Sequence, residues 1–70
     1  MDEKIKLLIR KRRTSNLEIL EYIRKIVEAY PELRFTQILT ILELDKDKFN
    51  EESVITLKHV KQIATRNLNV

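Results

Sequence analysis

Four consecutive basic residues, Arg10-Lys11-Arg12-Arg13, form the densest chemical grouping in the sequence. With Lys6 they could contact nucleic-acid phosphates, the sequence-independent part of such binding. The same cations could meet an acidic protein surface, or anionic lipid if the segment is an amphipathic helix. The plainest alternative is a solubilising run placed well for a helix C-terminus. Residues 1 to 13 hold six of the 14 basic side chains against Asp2 and Glu3, and the remaining residues carry a slight negative excess.

A second grouping is Arg34 and Gln37 upstream of Asp47, Glu51 and Glu52. Arginine meets carboxylates through two parallel hydrogen bonds. The spacing therefore suggests a structural polar lock between the helices that carry these residues, and less favourably a site for a polar ligand.

Catalytic chemistry finds little to work with. His59 has no cysteine in the chain and no evident nucleophile beside it, and Ser15 and Ser53 lack the glycines of a nucleophile elbow. Asp45, Asp47 and Glu51 superficially resemble a calcium loop. Counting from Asp45, however, the sixth position is Asn50 rather than glycine and the twelfth is Thr56 rather than glutamate. The chain has no glycine at all, which rules out the common phosphate-cradling loops. The expectation is a non-enzymatic protein with no catalytic residue, metal, cofactor or small-molecule substrate.

The elements that must position these residues read as helices. Favoured two-residue hairpins want glycine or asparagine, whereas apolar residues here recur at helical spacing. The first expected helix, about 2–13, is basic and amphipathic, with Ile5, Leu8, Ile9 and Arg12 on one face. Thr14-Ser15-Asn16 then favours a helix start, and Ser15 with Glu18 has capping-box spacing. A break there, followed by a helix over 16–29, is preferred to one rod from about 3 to 29. Such a rod would be roughly 40 Å long and more at home in a dimer.

Pro31 ends the second helix and can open a third over 32–43. That helix is apolar around most of its circumference, with Phe35, Ile38, Leu39 and Leu42 on one face, so it is expected at the centre of the bundle or at an oligomer interface. Arg34 and Gln37 fall on its apolar side and are expected to be partly buried. A last helix over 51–66 should be capped by Asn50, with Phe49 stapled onto Val54 and the tail from Asn67 fraying.

The string Tyr30-Pro31-Glu32-Leu33-Arg34-Phe35-Thr36-Gln37-Ile38, followed by Asp47, Phe49, Glu51 and Glu52, resembles a pattern in small uncharacterised bacterial and phage-encoded helical proteins. Those carry (Y/H)-P-x-L-R-(F/L)-G-Q-(L/I) and then D-x-F-Y-x-E-D. Thr36 stands where they usually have glycine, and Asn50 and Ser53 also depart. The resemblance implies a compact helical unit of mobile-element origin and no particular activity.

Together these readings give a single all-α domain over 1–70, a bundle of three to four helices. At 70 residues such a domain buries only about 60% of its unfolded surface, so self-association as a homodimer, or binding to another protein, is expected. A nucleic-acid-binding regulator using the basic run is the alternative function. Leu7-Leu8-Ile9 is too short for a leader or a membrane span, and a cytoplasmic location with no membrane partner is expected.

Overall fold

The computed structural model describes residues 2–68. Among them lie three helices, α1 (Glu3–Ala29), α2 (Phe35–Ile41) and α3 (Ser53–Leu68), and no strand. The all-α expectation holds; the boundaries change in instructive ways.

The expected break at Thr14-Ser15-Asn16 does not occur. α1 is one helix of 27 residues, about 40 Å long, in a molecule measuring 45 × 24 × 16 Å. A cap at Ser15 would satisfy backbone donors worth about 1 kcal/mol. Unbroken helix satisfies the same donors, and Ser15 does something else: it is buried at 7% exposure. Its small side chain sits on the stripe of α1 that carries Ile19, Tyr22, Ile23 and Ile26 into the core. The N-cap of α1 is Asp2, whose carboxylate accepts from Lys4 N–H at 3.0 Å.

α1 and α3 lie side by side and run parallel. At their N-terminal ends Arg12 meets Glu52; at the other end Tyr30 Oη–H donates to Asn67 O at 2.7 Å. Parallel neighbours need a return path, and α2 with its flanking turns supplies it. Ile26, Ile38, Leu42, Val60, Ile63 and Ala64 are the buried core, ringed by Ile19, Tyr22, Ile23, Tyr30, Leu33, Ile41, Leu44 and Leu68.

Pro31 ends α1 as expected but does not open the next helix. Leu33 N–H donates to Tyr30 O at 3.1 Å, making a β-turn with proline at the position whose fixed φ suits it. Arg34 is extended and becomes the N-cap of α2. α2 is thus shorter than the expected 32–43 helix. It delivers Ile38 and, at its C-cap, Leu42 to the core, while Phe35 stays exposed and the long packing contact is α1 on α3.

α2 ends in a Schellman arrangement: Leu44 N–H donates to Leu39 O at 2.8 Å and Glu43 N–H to Thr40 O at 3.0 Å. The residue between them, Glu43, has φ 57°, the left-handed conformation that glycine usually fills. α3 then starts two residues later than expected, with Glu52 in the capping place. Glu52 O accepts from Ile55 N–H and Thr56 N–H, so the cap is not Asn50. The Phe49–Val54 staple is absent, both side chains being largely exposed. Asn67 and Leu68 belong to α3 rather than to a frayed tail, and Asn69 and Val70 lie outside the described residues.

Candidate interaction surface

The first three turns of α1 run on past the start of α3 as an arm. Residues 3–11, ahead of Arg12, span about 14 Å. Leu8 precedes Ile26 by 18 residues, about five whole turns, so both side chains leave the helix on the same side. Ile26 is wholly buried and Leu8 is 45% exposed. Ile5 and Ile9 flank Leu8 and are equally uncovered. The stripe that makes the core therefore continues along the arm, and among the described residues nothing closes over it.

The basic run looks different once the helix is continuous. Four consecutive residues point about 100° apart, so Arg10, Lys11, Arg12 and Arg13 encircle α1 instead of forming one patch. Arg12 turns toward α3 and is engaged: Nε donates to Glu52 Oε1 at 2.7 Å and Nη2 to Oε2 at 3.1 Å. That two-pronged contact, with help from the Ser53 N–H, holds the Glu52 carboxyl below the usual glutamate range against some desolvation. Both side chains are near half exposed, so solvent screens the pair and its energy is small. Its geometry matters more, because it sets where the arm leaves α3. Lys6, Arg10 and Arg13, spaced four and three apart, do share a face, and Arg10 also borders the groove beside Leu8.

The expected polar lock is not made by Arg34. Among the described residues Arg34 forms no ion pair with Asp47, Glu51 or Glu52, and both Arg34 and Gln37 are exposed rather than partly buried. Gln37 Oε1 accepts from Arg34 N–H at 2.8 Å, half of a capping box that fastens the start of α2. Glu51 accepts from Thr56 Oγ1–H at 2.6 Å and lies 3.7 Å from Lys48 Nζ. The hydroxyl contact, with Lys48 and His59 nearby, lowers its carboxyl. Asp47 Oδ1 accepts from Phe49 N–H at 3.3 Å. Among the described residues, the ion pair that joins distant parts of the chain is Arg12 with Glu52.

Two features escaped the sequence reading. Phe49 is 93% exposed, although a lone aromatic between Asp47 and Asn50 in an acidic loop already carried the signal. A groove also opens where the arm parts from α3, with Leu8, Arg10, Lys11, Arg12, Glu52 and Val54 among its lining residues. Its floor depends on the unbroken helix, which a break at Thr14-Ser15-Asn16 would remove. His59 is exposed on α3, whose cations Lys58, Lys61 and Arg66 are matched by no acid within that helix. Among the described residues no cluster of acids and histidines is arranged to hold a metal ion, and no helix is long and apolar enough to cross a membrane. Comparison with protein-family models, with curated proteins and with solved structures finds no match to this chain.

Proposed function

We propose that this protein is a small non-enzymatic interaction module that works as a homodimer, with the arm of α1 as its adhesive element. The observation that carries this reading is the uninterrupted stripe of α1. Its distal part, Ile26 with Ile19 and Tyr22, is core, while its proximal part, Ile5, Leu8 and Ile9, stands in solvent. Burying one such side chain is worth about 1.5–3 kcal/mol, and three in a row on a rigid helix give a second copy something to grip. Light scattering across a concentration series tests it. A dimer mass, reduced to the monomer by Leu8→Glu, is expected; a monomer throughout the micromolar range would sink the proposal.

A second reading is favoured by one observation, the alignment of Lys6, Arg10 and Arg13 on one face of the arm. In this reading the arm tracks a nucleic-acid backbone through its cations. A mobility shift of DNA or RNA that weakens steeply with salt, and is lost in the Lys6→Gln/Arg10→Gln/Arg13→Gln variant, is expected. Absence of binding at low salt removes this reading and leaves the dimer untouched, because the mass in solution tests the dimer separately.

A further inference from the structure

Phe49 is held out, not left loose. It occupies a turn in which Glu51 N–H donates to Lys48 O at 2.9 Å, and its own N–H is tied to Asp47 Oδ1 at 3.3 Å. Lys48 Nζ and Glu51 Oε1 face each other across the same turn at 3.7 Å. A fixed turn presenting a 93% exposed phenylalanine has the form of an interface anchor, since aromatic side chains dominate binding energy where they fill a pocket.

A hole of matching character lies close by. The Arg12–Glu52 pair borders both features: on one side a depression shared with Phe49 and Asn50, on the other the groove between Leu8 and Val54. Knob and hole therefore sit back to back on one edge of the molecule. A two-fold axis passing beside the ion pair lets residue i of each copy meet residue j of the other, as an isologous contact requires. Both knobs then enter both holes at once.

Charge favours this occupant. The segment 43–52 that carries Phe49 has five acidic residues against Lys46 and Lys48, whereas the groove is bordered by Arg10, Lys11 and Arg12 on an arm, residues 4–13, with six basic residues and no acid. Pairing two arms alone would set cations against cations. Laying the acidic segment of one copy along the arm of the other brings opposite charges together, which favours both register and encounter.

We propose that two copies associate about a two-fold axis with Phe49 of each seated between Leu8 and Val54 of the other. The acidic segment 43–52 then lies along the partner's basic arm. This rests on the self-association reading above and names its contact.

The test compares dimer dissociation constants by sedimentation for the wild type, Phe49→Ala and, as a control, Phe35→Ala, whose ring is also exposed. Because the Phe49 ring is almost wholly in solvent, its truncation leaves the folded protomer, followed by circular dichroism, unchanged. The dissociation constant should rise at least tenfold for Phe49→Ala and stay put for Phe35→Ala. A wild-type monomer overturns both this contact and the dimer. A wild-type dimer indifferent to Phe49→Ala, or equally weakened by Phe35→Ala, overturns the Phe49 contact alone. The chain has no cysteine, so a mixture of Asn50→Cys and Lys11→Cys chains adds an independent readout. The mixed disulfide should form faster than either symmetric one, and faster pairing of two Lys11→Cys chains would show arm against arm and overturn the contact.

Discussion

Glu43 carries the clearest local conflict between residue type and backbone. At φ 57° an L-residue meets its own carbonyl, costing about 1–2 kcal/mol. It stays because the two Schellman hydrogen bonds and the half-buried Leu44 determine the geometry around it. Glycine there removes the clash but adds unfolded-state freedom worth somewhat under 1 kcal/mol. It also gives up the exposed pair of Glu43 with Lys46 at 2.8 Å, which solvent largely screens. Glu43→Gly should therefore gain a net of up to about 1 kcal/mol, read as a higher urea midpoint at unchanged slope. A lower midpoint would mean that the left-handed site is not strained. Glu52 offers a test through pH. Arg12 holds its carboxyl below the ordinary glutamate value, so the folded state gains from the charged form at neutral pH. That gain disappears as pH falls through the depressed folded value. Wild type should exceed Glu52→Gln in stability at neutral pH, and the two should converge in acid. A difference that persisted unchanged into strong acid would assign the effect to capping instead of charge.

The central element is α1, and its continuity governs everything placed on it. Ile5, Leu8, Arg12, Ser15, Ile19, Tyr22 and Ile26 succeed one another at alternating steps of three and four, a single seam down one helix. That seam was legible in the sequence. It was overridden by a local signal, Ser15 with Glu18, whose worth of about 1 kcal/mol is smaller than what α3 gains by packing along the seam. The helical nature of every segment and the stop at Pro31 were likewise readable from periodicity and turn chemistry. The partner of Glu52 was not, because Arg12 and Glu52 are 40 positions apart and meet only through the parallel packing of α1 and α3. Arg34 was nearer in sequence, and the extended backbone that makes it a cap turns it away from that role. If Ser15 is a packing residue, size should decide its mutants. Ser15→Leu should destabilise the fold by about 1–3 kcal/mol through overpacking against α3. Ser15→Ala should match or slightly exceed wild type, alanine being the better helix former. Were Ser15 a cap after all, the alanine variant would be the damaging one.

At the scale of the whole molecule the question is how the six apolar side chains buried among the described residues sustain a chain of 70 residues. A domain of this size leaves a large share of its surface in water, and here Ile5, Leu8, Ile9, Leu20, Phe35, Phe49 and Val54 are part of that share. If a second copy covers the arm and Phe49, folding and association are linked, and stability must depend on concentration. Each tenfold rise in protein shifts the balance by about 1.4 kcal/mol per dimer. Spread over twice 70 residues melting together, that raises Tm by about 3–6 °C per decade. Leu8→Glu separates the protomer's own stability from the partner's contribution, because Leu8 lies outside the protomer core. Its Tm should be flat with concentration and should coincide with the value that wild type approaches on dilution. A wild-type Tm equally flat over two decades would show that the small core stands alone and that the exposed stripe of α1 adds nothing to the fold.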